Sequence, residues 1–271
     1  MVAVISAIKA MKVLILAAGL FASALAFADQ IVALKTRGDA AQSYLLMADS
    51  GGTPKAVAVL FPGGKGRVGL PGDISQLRAR LSGNFLVRTR EMFRDGEISV
   101  ALVDVPSDHP RGMDDGFRTG SQHVEDIAAV VKDLRGRFPA AKVFLVGTSR
   151  GTLSAAHVGR ALGGAVDGVV LTSTVLWSGR RGMSLSDFDF GAIRAPLLFV
   201  HHAEDGCRVC PYSAAESLGG AYPLITVRGG KPAEAGACQG LSAHGYFGKE
   251  AETVAAIKSW MLGRPYPKVV D

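Results

Sequence analysis

The chain is predicted to fold as an α/β protein around one mostly parallel sheet, and three observations carry that prediction. Short apolar runs rich in β-branched residues recur at 56–61, 98–105, 143–146, 166–174 and 196–202, as expected of strands buried on both faces. Segments with apolar residues at helical spacing, such as 124–134 and 250–261, alternate with them. The run 143–146 passes without a spacer into Gly147-Thr148-Ser149-Arg150-Gly151 and then into a helical segment, 152–162. Glycines on both sides of a serine suit a strand-to-helix turn so tight that neighbouring Cβ atoms have no room.

Taken in order, residues 31–36 and 42–48 read as two short strands divided by Arg37-Gly38-Asp39, forming an antiparallel edge. Strand 56–61 ends at Pro62-Gly63-Gly64-Lys65-Gly66; Gly66 rather than Ser or Thr after Lys65 argues against a phosphate-binding loop. Residues 85–93 have helical spacing and stop at Asp95-Gly96. Strand 98–105 delivers Asp108 and His109 to the carboxyl end of the sheet, the end at which parallel sheets bind ligands; a solvated loop is the preferred reading for both. Helix 124–134 is a crossover helix that Ser121 can cap, with His123 in its first turn. Strands 166–174 and 196–202 follow, joined only through 175–192, where Trp177, Arg180 and Arg181 are candidates to touch a ligand. Strand 223–228 and helix 250–261 close the fold. The total is eight strands with helices on both faces.

A chain of 271 residues with 48% hydrophobic content can bury one substantial core, which favours a single domain over residues 29–271. Residues 1–28 stand apart. Lys9 and Lys12 precede an apolar run from 13 to 28 that ends in Ala26-Phe27-Ala28, the pattern of a secretory signal peptide cut after Ala28. Met11 is an alternative start. The run is shorter than the roughly 20 residues of a membrane span, so no stable membrane insertion is expected after cleavage. Loss of Lys9 and Lys12 lowers the formal charge from +6 to +4. The remaining bases are scattered rather than clustered with aromatics, which argues against a nucleic-acid partner. The expected location is the periplasm or the medium.

Strand, Gly147-Thr148-Ser149-Arg150-Gly151 and helix resemble the nucleophile elbow of the α/β-hydrolase family, and the resemblance extends over essentially all of 29–271. It implies an α/β-hydrolase fold without a large cap, since the 175–192 connection is short. It also implies a Ser-acid-His order of catalytic residues. Asp205 follows strand 196–202, with Glu204 as its adjacent competitor, and Gly206 suits a turn presenting the aspartate. His244 lies downstream of the acid, whereas His201, His202 and His157 fall in a strand or helix. A serine hydroxyl needs such a base, and the base needs the carboxylate. The amides of Gly64 and Arg150 take the place of the oxyanion hole. The implied activity is hydrolysis of an ester or related acyl bond, carboxylesterase-like, with peptidase, thioesterase and acyltransferase chemistry open. The partner is a small or polymeric acyl substrate, and no metal or organic cofactor is implied. Arg150, Arg180 and Arg181 hint at an acidic or polar acyl group.

Three cysteines cannot all pair within one chain. A Cys207–Cys238 disulfide would join the loops carrying Asp205 and His244; a Cys207–Cys210 bond is the alternative. Two further classes stay open: a binding protein that keeps the fold without the chemistry, and a thiol–disulfide protein using Cys207 and Cys210.

Overall fold

The computed structural model describes residues 29–49, 52–70, 83–179 and 182–271. The expected signal peptide, 1–28, and Arg180 and Arg181 lie outside the described residues. Nine strands form one sheet in the order β1-β2-β4-β3-β5-β6-β7-β8-β9. β1 (Gln30–Lys35) and β2 (Ala41–Met47) make the antiparallel edge, and β2 pairs antiparallel with β4. From β4 onward every pairing is parallel. These are β3 (Ala56–Phe61), β4 (Ile98–Val103), β5 (Lys142–Thr148), β6 (Gly168–Thr172), β7 (Leu197–His202) and β8 (Leu224–Val227). The ninth, β9 (Val269–Val270), corrects the expected count of eight: two residues carry no readable alternation, and only pairing with β8 makes them a strand. This is the α/β-hydrolase fold, with no cap domain among the described residues.

Burial on both faces explains the unbroken apolar runs. Val57, Val59, Val143 and Leu145 face one core layer, completed by helices α4 and α5 defined below, while Ala58, Leu60, Phe144 and Val146 face the other. Each fully buried Val or Leu contributes about 1.5–3 kcal/mol. The segment expected as one helix over 85–93 is split into α1 (Phe85–Arg88) and α2 (Arg90–Phe93) at Thr89, whose hydroxyl donates to the Phe85 carbonyl at 2.7 Å, a local bond that competes with helix continuation. A short α3 (Asp115–Thr119), capped by Asp114, was not anticipated. The crossover helix α4 (Ser121–Arg137) starts earlier than predicted, so Ser121 is helical and Gly120 occupies the cap position. α5 (Gly151–Leu162), α6 (Tyr212–Leu218) and α7 (Glu250–Met261) complete the layers.

Candidate active site

Ser149 sits between β5 and α5 with φ +51°, a conformation unusual for a residue with a Cβ. The surrounding backbone enforces it. A Cβ on Gly151 would lie 2.0 Å from the Phe61 carbonyl oxygen, and one on Gly147 would lie 2.5 Å from the Gly151 carbonyl oxygen. The Ser149 N–H donates to the Thr172 carbonyl at 3.0 Å, and the Thr152 hydroxyl donates to the Ser149 carbonyl at 2.6 Å. Adjacent main chains therefore fix where the hydroxyl projects.

Asp205 and His244 arrive on loops from the far half of the sheet. The Asp205 carboxylate is fully buried; Oδ2 lies 2.9 Å from His244 Nδ1, and Oδ1 accepts the Cys207 N–H at 2.9 Å. Glu204, by contrast, is exposed. His244 lies in a single turn, Ala243–Gly245, and is buried; among the described residues its Nε2 has no hydrogen-bond partner. Arg88 supports that turn by donating to the Gly245 carbonyl at 2.6 Å, and Ser173 by donating to the His244 carbonyl at 2.8 Å. Tyr246, the next residue but one, has φ +59° and donates its hydroxyl to the Val200 carbonyl at 2.7 Å.

Ser149 and His244 line one narrow cleft of about 40 Å³ with Gly63, Gly64, Asn84 and Cys238. Of the two expected amide donors, Gly64 borders this cleft, with φ +58°, and Arg150 is the cap residue immediately before α5. Three contributors escaped the sequence reading. Gly63 packs so closely that a Cβ on it would be 3.0 Å from the Ser149 Cβ and 3.2 Å from Asn84 Nδ2. The Asn84 side-chain oxygen accepts from the Leu86 and Val87 amides at the start of α1, which leaves its NH₂ group on the cleft side. Arg118, fully buried, donates to the Pro62 and Gly64 carbonyls at 3.2 and 3.1 Å and to the Ser154 hydroxyl at 2.9 Å, clamping the 62–66 loop onto α5. Burial lowers its pKa to about 10. Asn84 and Arg118 have no readable signal, because each acts through a contact distant in sequence, whereas Gly63 belongs to the glycine-rich loop 62–66 that the sequence does show.

Other candidates are placed elsewhere. Asp108 pairs with Arg37 at 2.7 Å, which holds its carboxyl down at about 2, and with His109 at 3.0 Å. His201 and His202 are buried structural residues: the Thr174 N–H donates to His201 Nε2 at 2.8 Å, and His202 Nε2 bonds the Gly229 carbonyl at 2.9 Å. Burial pushes His201 down to about 3, with His244 adding to it, so it is neutral. His123 is fully buried against Phe61 and Phe117, and His157 stacks on Phe188. The Arg150 guanidinium is engaged by Asp115 at 2.6 Å, which removes it from the group hinting at an acidic substrate.

The structure pairs Cys207 with Cys238 and leaves Cys210 free and buried. The Cys210 thiol lies close to the Ser149 hydroxyl, and burial, reinforced by Asp205, pushes its pKa well above the usual thiol range. A wider cavity of about 710 Å³ lies on the other side of the acid loop, lined by Trp177, Arg208 and Val209 among others, with neither Ser149 nor His244 in its wall. Ser149 and His244 line the small cleft, while Asp205 and Cys207 border the larger hollow.

Comparison with known proteins agrees with this architecture. The family model described as Serine aminopeptidase, S33 matches residues 110–188, a span that includes Ser149. No curated protein matches by sequence. Among solved structures the chain is similar to Est1E from Butyrivibrio proteoclasticus, a protein also seen with ferulic acid bound: TM-score 0.58, 13% identity, 86% of this chain and 98% of that one. It is also similar to XC6422 from Xanthomonas campestris, described as an α/β serine hydrolase without lid, with TM-score 0.54 and 14% identity over 84% of this chain and 94% of that one. An α/β serine hydrolase homologue from Coxiella burnetii gives TM-score 0.54 and 10% identity over 88% and 97%.

Proposed function

We propose that the chain is a serine hydrolase that cleaves an ester or related acyl bond through an acyl-enzyme on Ser149. One observation carries the reading. His244 Nδ1 is 2.9 Å from a fully buried Asp205 oxygen, while Nε2, in the cleft that Ser149 lines, has no partner among the described residues. An imidazole held from behind by a carboxylate is locked in the tautomer whose Nε2 accepts a proton.

In this mechanism His244 Nε2 takes the Ser149 proton as Oγ attacks the acyl carbon. Asp205 steadies the imidazolium that forms. The amides of Gly64 and Arg150, with the Asn84 NH₂ group as a third donor, stabilise the oxyanion. His244 then returns the proton to the leaving group, and water repeats the sequence to release the acid. We further propose that residues 1–28 are a cleaved signal and that 29–271 act in the periplasm or outside the cell, where a disulfide persists. The short connection before β7 suits an open cleft.

Labelling with a fluorophosphonate probe tests the reading: the parent chain should be labelled and turn over p-nitrophenyl and hydroxycinnamoyl esters, and Ser149→Ala should do neither. A folded parent that stays unlabelled leaves a binding protein. The thiol–disulfide alternative is disfavoured by the bond from Cys207 to Cys238 and by the buried, protonated Cys210; insulin reduction by the chain would revive it.

A further inference from the structure

We propose that reduction of the Cys207–Cys238 disulfide assembles a four-ligand site for one soft divalent ion such as Zn²⁺, made of Cys207, Cys210, Cys238 and His244, in which the ion silences hydrolysis by occupying His244 Nε2. The silencing rests on the reading of His244 as the base; the binding does not.

The ligands are already gathered. The sulfurs of Cys207 and Cys210 and a ring nitrogen of His244 all lie within 4.8 Å of one another, and Cys238 is bonded to Cys207. Tetrahedral thiolate sites place sulfurs about 3.8 Å apart, as follows from Zn–S bonds near 2.3 Å. Once the bond opens, side-chain rotation of Cys207 and Cys238 is the movement that has to bring their sulfurs to that spacing. Cys207 and Cys210 stand in a C-x₂-C arrangement, the spacing by which one loop offers two thiolates to a single ion. All three of Cys207, Cys210 and His244 are buried, and no hydrolytic role has been given to the free Cys210 thiol.

His244 is poised for the ion in the same way as for Ser149. A metal-bound imidazole commonly gives its other nitrogen to a carboxylate, which fixes ring orientation and raises basicity. The Asp205 Oδ2 to His244 Nδ1 contact of 2.9 Å already does this, and among the described residues Nε2 has no partner. Proton acceptance from Ser149 and coordination of the ion require the same lone pair, so the two states exclude each other. In the oxidised chain only Cys210 and His244 can donate, which is too few for tight binding. Access exists from both sides: Cys238 borders the cleft and Cys207 the wider cavity.

The chemistry balances with a named reductant. A dithiol gives two electrons and two protons to the Cys207–Cys238 bond and closes to its own disulfide; a phosphine does the same with one water and becomes the phosphine oxide. Binding of the ion by three thiols then releases three protons.

Cobalt(II) uptake by the full chain reads the site directly. The Ser149→Ala chain, reduced with a phosphine, should bind one Co²⁺ with thiolate-to-cobalt charge-transfer bands, and Zn²⁺ should displace it. The oxidised chain should show neither band nor uptake. Cys210→Ser should lose part of the charge-transfer intensity, and Asp205→Asn should weaken Zn²⁺ binding about 10- to 100-fold. A reduced chain without the bands, whether its fold is lost or its ligands stay apart, overturns the proposal, as do equal uptake by the oxidised chain and an unaltered spectrum in Cys210→Ser. For the silencing, one equivalent of Zn²⁺ should abolish ester turnover by the reduced parent, and a chelator should restore it; full turnover with Zn²⁺ bound overturns that half. Absence of fluorophosphonate labelling in the oxidised parent would defeat the hydrolase reading alone, since the cobalt spectrum of Ser149→Ala does not depend on it.

Discussion

The turn carrying Ser149 and the two loops carrying Asp205 and His244 hold their side chains by different means. Around Ser149 the constraint is main chain against main chain: β3, β5 and α5 approach so closely that two positions admit only glycine. The loops are instead held by side chains, through the Cys207–Cys238 bond, the Arg88 donation to Gly245 and the Tyr246 hydroxyl. The first arrangement is rigid because its parts belong to the sheet, and the second because cross-links were added to it. The proposed nucleophile should therefore be insensitive to changes that misalign the proposed acid and base, and the reverse.

The largest effect is expected from Asp205→Asn, which keeps the shape of the acid loop but offers His244 Nδ1 a different partner. By analogy with aspartate-to-asparagine changes in serine proteases, kcat should fall about 10⁴-fold with KM little changed. Steady-state kinetics on an ester substrate checks it; a loss under tenfold would mean that another group orients the imidazole. Gly151→Ala strikes the other region. Its new Cβ meets the Phe61 carbonyl oxygen at 2.0 Å, a clash with backbone that no rotamer relieves. The cost should exceed the usual overpacking range, at about 3 kcal/mol or more, read from urea denaturation. A variant as stable as the parent would show that the turn can open, contrary to its supposed rigidity.

Cys238→Ser separates the two regions most cleanly. Removing a cross-link between residues 31 apart in sequence should cost about 2–4 kcal/mol of stability. It should also lower kcat by loosening the Asp205–His244 pair, while binding of a neutral substrate analogue at the cleft is preserved. Equal losses in kcat and in analogue binding would show that the disulfide shapes the whole cleft.

The same contrast decides what could be read from the sequence. The Ser149 turn was legible because everything it needs lies in one continuous stretch, 143–162: an apolar run, two glycines and a helical segment. Asp205 and His244 were assigned through family order, and the disulfide through the loops that order brings together. What remained hidden acts across the fold. Asn84, the cap of α1, borders the cleft from 65 residues before Ser149, and Arg118 in α3 clamps the 62–66 loop from 31 residues before it; the local patterns of both short helices are weak. β9 owes its existence to β8, since two residues have no period. The Arg150 guanidinium looked available in sequence, and only its fold neighbour Asp115 reveals that it is engaged.

The smallest expected effect sharpens the comparison from inside the loop region. The Tyr246 hydroxyl, fully buried, donates to the Val200 carbonyl at 2.7 Å and accepts from the Ser173 N–H at 3.0 Å. Tyr246→Phe deletes both bonds and the one the Ser173 hydroxyl donates to it at 3.1 Å, yet the Ser173 N–H also donates to the Val200 carbonyl at 3.0 Å and the Ser173 hydroxyl to the His244 carbonyl at 2.8 Å, so none of these groups is stranded. The cost should stay near the net worth of a hydrogen bond, about 1 kcal/mol. The ring keeps its place against Phe85, with centroids 4.7 Å apart, and His244 keeps its carboxylate. Turnover should fall by less than in Cys238→Ser, with thermal unfolding and kcat as the two readouts. A loss matching that of Cys238→Ser would mean that the hydroxyl and not the disulfide keeps the base beside its acid.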